Sequence, residues 1–273
     1  MKKHILLGSV VLGGLLLTAC DRSATTAEDK NPANQTAESA SNIPKNTETE
    51  LPAVWAKPYK MNLVNPKICQ PATLEDNAGC TIYDIQSIKT NIPWINQYYD
   101  VNLKKMYKDA FGIKQNVEIP PSEDNYQYYV GAMVSLKSQR YNLVTFSQFD
   151  NSYSGGAHNQ YNVNYDMLDL KTQKRISLND ILLPNSKGKL IALAKQYNAN
   201  ELQEYGTDLA ELQVSENFYL AENGLMLVYS PYEIAPWVFG MPELFIPYDE
   251  LKGLIKDEYI PEQPDDSLSR EFS

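Results

Sequence analysis

Residues 161–167 read Tyr161-Asn162-Val163-Asn164-Tyr165-Asp166-Met167, and large apolar side chains alternate strictly with polar ones along them. Successive side chains of a β-strand point to opposite faces, so this pattern predicts a strand with one buried and one solvated face. Strands of this kind belong to antiparallel sheets. The stretch therefore sets the fold class, and the neighbouring segments are interpreted around it.

Further strand-like segments lie on both sides of this stretch. They are rich in Tyr, Val and other β-formers, and polar turns separate them, such as residues 137–140 and the hairpin signal Glu222-Asn223-Gly224. Short turns of this kind join antiparallel neighbours. The additional strands are predicted over residues 126–136, 141–149, 218–221 and 225–229.

Three helices are predicted between the strands. The first begins at Pro93 and ends near Gly112, the second lies near residue 193, and the third follows Tyr248 with Asp249 as its cap. Together with the strands they predict an α+β fold, a mostly antiparallel sheet with helices packed on it. The predicted apolar faces are, in order, Ile95, Tyr99, Leu103, Met106 and Ala110; Leu190, Leu193, Ala194 and Tyr197; and Leu251, Leu254 and Ile255.

The N-terminus carries an export signal. Residues 1–19 have a basic start and a short apolar run, and Leu17-Thr18-Ala19 directly precedes Cys20. This arrangement resembles the lipobox of bacterial lipoproteins, which implies cleavage before Cys20 and anchoring in the membrane through acyl chains on its thiol. The predicted location is the cell envelope, facing the periplasm or the exterior. In enterobacterial lipoproteins an aspartate after the lipidated cysteine, here Asp21, favours the inner membrane.

The remaining chain divides by composition. Residues 20–50 are polar and small, so we expect a disordered tether after the lipidated cysteine. The globular part is predicted over 51–115, which carries a disulfide and a helix, and over 116–260, the α+β part. Residues 261–273 are rich in Pro, Asp and Ser, and they are expected to form a flexible tail.

Charge and cysteine usage exclude several classes of function. The formal net charge is −10, and removal of Lys2 and Lys3 with the signal brings it near −12. This charge argues against nucleic acid and fits either a basic partner or simple solubility. Cys69 and Cys80 remain as an even pair, which predicts a disulfide in an exported protein. No cofactor is implied, and one remaining histidine with two thiols does not predict a metal site.

Two segments carry a family resemblance. The first runs from Tyr153-Ser154-Gly155-Gly156-Ala157-His158 to the Leu178-Asn179-Asp180-Ile181 stretch, and the second contains the loop Pro231-Tyr232-Glu233-Ile234-Ala235-Pro236. Together they resemble the extracytoplasmic domain of the lysozyme-binding anti-sigma factor RsiV and its lipoprotein relatives of unknown function. The resemblance covers roughly residues 65–256, so 116–260 corresponds to the RsiV-type C-terminal domain.

The resemblance implies a domain without catalytic activity that grips a protein or a cell-wall-related ligand, such as lysozyme or another basic envelope protein. The chain departs from RsiV because it lacks the sigma-binding part and the membrane-spanning helix. It also lacks the Thr-Phe-Asp-Asp metal motif of the peptidoglycan deacetylases to which some relatives are fused. We therefore expect a binding protein; a glycan-binding or hydrolytic protein and an envelope assembly scaffold are the alternatives.

The candidate binding residues fall in these two segments, and each has a structural alternative. His158 could contact a ligand, could act as a base with Ser154 and Asp166, or could hold its turn by hydrogen bonds. The aromatic side chains of the loop could anchor a ligand or close the core, and Glu233 could meet a cationic ligand or brace the loop. The complete candidate set is Tyr153, Gly155, Gly156, His158, Tyr232, Glu233 and Trp237.

Overall fold

The computed structural model describes residues 51–71, 78–115, 119 and 126–261. The predicted signal, Cys20, the tether and all but the first residue of the predicted tail lie outside the described residues. Ten strands and six α-helices are described. The strands are β1 (Ala56–Lys60), β2 (Lys67–Gln70), β3 (Gly79–Thr90), β4 (Tyr126–Arg140), β5 (Leu143–Tyr153), β6 (Gln160–Asp169), β7 (Lys174–Ile176), β8 (Phe218–Leu220), β9 (Gly224–Val228) and β10 (Glu243–Pro247). The helices are α1 (Pro93–Met106), α2 (Lys108–Phe111), α3 (Leu178–Ile181), α4 (Lys187–Tyr197), α5 (Ala199–Tyr205) and α6 (Tyr248–Leu251).

A seven-stranded sheet organises the domain. Its order is β1-β3-β4-β5-β6-β7, and β2 also pairs with β3. All pairs are antiparallel except β3 and β4, which run parallel. A parallel pair needs a long crossover, and the connection that contains α1 and α2 supplies it. A second sheet, β10-β9-β8, is antiparallel throughout. The predicted α+β fold with a mostly antiparallel sheet is therefore confirmed.

The crossover helix α1 packs on the large sheet through one apolar stripe. Ile95, Tyr99 and Leu103 are buried, and the Tyr99 ring meets Phe146 of β5 edge-on at 5.4 Å between centroids. The predicted helix from Pro93 to Gly112 is confirmed, apart from a break at Tyr107 between α1 and α2. The assignment of Met106 to the apolar face was wrong, because its side chain is 55% exposed at the last turn of α1.

The second core lies between the large sheet and the small sheet. It contains Met167 and Ile176 of the large sheet together with apolar side chains of α3, α4, α5 and the strands β8 to β10. The predicted second helix corresponds to α4, but Tyr197 is partly exposed and donates a hydrogen bond to Glu250 instead of joining the core. The predicted third helix is the four-residue α6, with Pro247 at its N-cap; Asp249 lies inside the first turn, so its assignment as the cap was wrong.

The outer edge of β6 is closed in an unusual way. The short strand β7 pairs only with Met167 to Asp169, so no strand among the described residues pairs with the rest of this edge. Asn217, just before β8, fills the gap: its Nδ2 donates to the Val163 carbonyl at 2.7 Å, and its Oδ1 accepts from the Tyr165 amide at 2.8 Å. The Val163 amide donates to Met241 Sδ at 3.0 Å. Side chains of the small sheet and its loop thus replace a strand at this edge.

The prediction of a solvated second face for residues 161–167 was wrong. Residues 161–166 are all half-buried and Met167 is buried. The polar side is covered because Tyr99 of α1 donates to Asp166 at 3.3 Å, while Asn164 donates to Asp150 at 3.2 Å. Polar side chains can line a covered face when they satisfy one another's hydrogen bonds, as here.

Cys69 and Cys80 form a disulfide between directly opposite residues of β2 and β3, which confirms the predicted pairing. It fastens the short outer strand β2 to the sheet. None of the helices in the described part of the chain is long and apolar enough to span a membrane.

We expect Asn217→Ala to lower the free energy of unfolding by about 2–3 kcal/mol, since it removes two hydrogen bonds and leaves the Val163 carbonyl and Tyr165 amide unpaired. Urea unfolding of the purified domain measures this. Asn200→Ala, an exposed asparagine on α5, is the matched control and should change stability by less than about 0.5 kcal/mol. An Asn217→Ala variant as stable as this control would contradict the assigned role.

Candidate functional site

The turn between β5 and β6 presents His158. Residues 154–159 connect the two strands, and Gly155 and Gly156 have φ angles of +97° and +99°. Glycine adopts such angles without strain, which explains the pair at this position. The Tyr153 hydroxyl donates to the Gly156 carbonyl at 3.1 Å and fastens the turn.

A second segment, residues 230–241, lies between β9 and β10 and is called the aromatic loop here. Tyr232 has a φ of +70°, a value that is uncommon for any residue other than glycine. Residues Trp237–Phe239 form one turn of 3₁₀-helix between Pro236 and Gly240. The loop is held at its end by Met241, whose sulfur accepts from the backbone of β6.

His158 and the aromatic loop meet directly. The imidazole stacks on the Trp237 indole with centroids 4.4 Å apart and planes 21° apart. Its Nδ1 lies 3.0 Å from the Asn159 carbonyl oxygen and its Nε2 lies 3.1 Å from the Tyr232 hydroxyl. A carbonyl only accepts, so in the neutral ring Nδ1 carries the proton and Nε2 accepts from Tyr232. Tyr161 of β6 approaches Trp237 edge-on at 6.1 Å.

The outer rim of the aromatic loop is apolar and exposed. The side chain of Tyr232 is 59% exposed and that of Val238 is 80% exposed, and Phe239 is partly exposed beside Tyr205. Trp237 is half-buried beneath them, and its indole nitrogen is buried without a hydrogen-bond partner among the described residues. The loop therefore combines a supported aromatic base with an apolar rim open to solvent.

The side chain of Glu233 forms a hydrogen bond within its own turn. Its carboxylate accepts from the Ser230 amide at 2.8 Å, and its amide donates to the Ser230 carbonyl at 3.0 Å. The Ser230 hydroxyl in turn bonds Asn162 of β6 at 3.0 Å. Of the two alternatives for Glu233, the structure shows the bracing contact.

The predicted candidates thus form two neighbouring groups. His158, Tyr232 and Trp237 touch one another, whereas Tyr153, Gly155 and Gly156 build the turn that carries His158. The alternative in which Ser154, His158 and Asp166 cooperate has no support in the geometry. The Asp166 carboxylate bonds Arg175 Nε at 2.5 Å and Tyr99 from α1, and His158 bonds neither Ser154 nor Asp166.

The stretch of sequence that contains the aromatic loop is acidic. Residues 199–251 contain no Lys, Arg or His but ten carboxylates. Burial raises the pKa of the Tyr205 hydroxyl, and the nearby carboxylates of Glu201, Glu204 and Glu243 raise it further. The ten carboxylates belong to Glu201, Glu204, Asp208, Glu211, Glu216, Glu222, Glu233, Glu243, Asp249 and Glu250.

A groove opens close to the aromatic loop. It has a volume of about 410 Å³ and is lined in part by Tyr107, Asp150, Gln160, Tyr161 and Asn162. Asp150 accepts hydrogen bonds from Tyr107 and from Gln148, the latter at 2.8 Å, and burial raises the pKa of the Tyr107 hydroxyl. In the described ranges, no group of three or more His, Cys, Asp or Glu side chains is placed to hold a metal ion.

Sequence reasoning missed two residues that shape this site. Tyr161 of β6 contacts Trp237, and Asn217, just before β8, bonds the backbone of β6. A single asparagine before a strand and a tyrosine within one carry no local signal of such a role. Tyr232 and Trp237 were identified because aromatic side chains between prolines are typical of rigid surface loops.

Residues 171–249 match a family model described as "Protein of unknown function (DUF3298)". The match contains the aromatic loop and the small sheet, while the turn with His158 precedes it. No curated protein matches the chain.

Two crystal structures are similar in fold. One is a DUF3298 family protein of Pseudomonas aeruginosa PAO1, with a TM-score of 0.56 and 19% identity over 78% of this chain and 99% of that one. The other is a member of the DUF3298 family from Bacteroides fragilis NCTC 9343, with a TM-score of 0.52 and 20% identity over 75% and 94% of the two chains. At these identities the likeness shows a shared fold.

We expect a double-mutant cycle between His158→Ala and Trp237→Ala to give a coupling of about 0.5–1.5 kcal/mol in the free energy of unfolding, because the two rings stack. Thermal or urea unfolding of the four proteins measures it. The control cycle pairs His158→Ala with Trp94→Ala on α1, where the effects should add within about 0.5 kcal/mol. Equal coupling in both cycles would contradict the stacking contribution.

Proposed function

We propose that this chain is a lipid-anchored, non-enzymatic protein of the cell envelope whose folded domain binds a basic protein through the aromatic loop. The observation that carries the proposal is the exposed apolar rim of Tyr232, Val238 and Phe239, placed in a stretch of sequence without any basic side chain. The DUF3298 match leaves the ligand open.

The rim has the physical properties of an interface anchor. Aromatic side chains contribute most to binding when they are held in place before the partner arrives, since less entropy is then lost. Tyr232 is held by its bond to His158, and the turn behind it is braced by Glu233 and Ser230. The loop therefore presents its apolar side chains in a largely fixed arrangement.

The charge around the loop favours a basic ligand. Carboxylates near an apolar contact steer a cationic partner and raise its association rate at low salt. Lysozyme is basic, and the resemblance to the lysozyme-binding domain of RsiV makes it the first ligand to test. Another basic envelope protein would satisfy the same surface.

A second candidate function is the binding of a peptidoglycan fragment. The groove lined by Tyr107, Asp150 and Asn162 favours it, because amide, carboxylate and hydroxyl groups beside an aromatic ring suit sugar hydroxyls. The groove shares Tyr161 with the support of the aromatic loop, so both ligands would meet the same region.

We expect the chain from residue 21 onward to bind lysozyme saturably in calorimetry, with an affinity that falls as salt is raised. Val238→Ser combined with Tyr232→Ser should weaken binding at least about tenfold, because it removes the exposed rim. Val101→Ser, an exposed valine on α1, is the matched control and should leave binding unchanged. Absence of binding at every salt concentration would contradict lysozyme as the ligand, and muropeptides titrated in the same way test the second candidate.

We expect the full chain to appear in the membrane fraction of an expressing bacterium and Cys20→Ser to release or misprocess it, because the acyl chains require this thiol. Fractionation followed by mass spectrometry of the N-terminal peptide measures both the location and the lipid mass. A wild-type protein with unmodified Cys20 would contradict the anchoring.

A further inference from the structure

The connection between β1 and β2 is fixed against the end of α2. The backbone N–H of Asn65 donates to the Ala110 carbonyl at 2.9 Å. The side-chain Nδ2 of Asn65 donates to the backbone carbonyls of Asp109 and Ile113 at 2.9 and 3.0 Å. Asn65 Oδ1 accepts from the Gln115 amide at 2.8 Å. Asn65 is buried. Its four hydrogen bonds hold the connection between β1 and β2 and the segment that follows α2 together, and the two form one corner of the domain.

This corner exposes apolar and basic side chains side by side. Ile113 is 92% exposed and Val64 is 46% exposed. Lys67, Lys108 and Lys114 are exposed around them, and none of the three forms an ion pair within the described ranges. We call these five residues the lysine corner; Asp109 is the one acidic side chain among residues 108–115.

The two edges of the domain differ in charge. Residues 51–125 carry eight lysines and eight acidic residues, whereas residues 199–251 carry ten acidic residues and no basic one. The β1 and β2 edge of the large sheet belongs to the first group, and the aromatic loop lies beyond β6.

We propose that the lysine corner is a membrane-contact surface that docks on anionic lipid headgroups. The inference rests on the lipid anchoring in the proposed function. The predicted tether of residues 20–50 would join the domain to the lipid on Cys20, and a tether of about thirty residues would span roughly 30 Å, enough for the domain to reach the bilayer. Lysines near an anionic leaflet each strengthen binding by a factor of about five, and exposed Ile113 and Val64 can enter the headgroup layer.

Docking at this corner would turn the other edge of the sheet, with the aromatic loop, toward the aqueous side. The carboxylates of residues 199–251 would then lie away from the anionic lipid. This orientation is favourable because like charges repel each other. The membrane contact and the ligand contact would occupy different surfaces of the same domain.

The test is co-sedimentation of the chain from residue 21 onward, which lacks the lipid, with vesicles at low salt. We expect binding to vesicles of equal parts phosphatidylcholine and phosphatidylglycerol and none to phosphatidylcholine alone. The triple variant Lys67→Gln, Lys108→Gln, Lys114→Gln should bind the anionic vesicles at least about tenfold more weakly, and Ile113→Ser should bind them several-fold more weakly.

The matched control is Lys137→Gln, Lys171→Gln, Lys189→Gln, which removes three exposed lysines outside the corner and should retain binding. Absence of wild-type binding to anionic vesicles, or equal losses in the two triple variants, would overturn the proposal. Calorimetry of the same variants with lysozyme separates the two ideas: retained lysozyme binding with no vesicle binding overturns the membrane contact alone, and the reverse overturns the ligand proposal alone.

Discussion

The edge of β6 is the constraint on which the rest of the domain depends. Strand β7 is only three residues long, so in the described part of the chain no strand pairs with the backbone groups of Val163 and Tyr165 at this edge. Buried backbone groups must be paired, and here the side chains of Asn217 and Met241 do this. Asn217 precedes β8 and Met241 ends the aromatic loop, so closing this edge also fixes the small sheet and the loop on the large one.

The position of the aromatic loop follows from that closure. With Met241 fixed at one end and Ser230 bonded to Asn162 of β6 at the other, the intervening residues must turn outward over the tip of β6. There they meet His158, which the glycine turn after β5 presents. The left-handed conformation of Tyr232 is tolerated because the surrounding contacts determine it, and such conformations are often kept at functional sites.

The sequence predicts the elements whose signals are local. Five strands (β4, β5, β6, β8 and β9), the helix from Pro93 and the proline-bounded loop follow from periodicity and turn residues. The strands β1 to β3 were not predicted, because β1 is an exposed edge strand and β3 alternates irregularly, being covered on both faces in places. The contact between His158 and Trp237 joins residues far apart in the chain, so no local pattern could reveal it. Met106 and Tyr197 were assigned to the core because they continue an apolar stripe, but each lies at a helix end that leaves the core.

The central claim is that the aromatic loop is a ligand-binding surface, and hydrogen–deuterium exchange with and without lysozyme tests it most directly. The account predicts slower amide exchange in the presence of lysozyme over residues 230–241 and in the His158 turn, with unchanged exchange over residues 61–67 and 108–115. Protection confined to other segments, or no protection at a saturating lysozyme concentration, would contradict it.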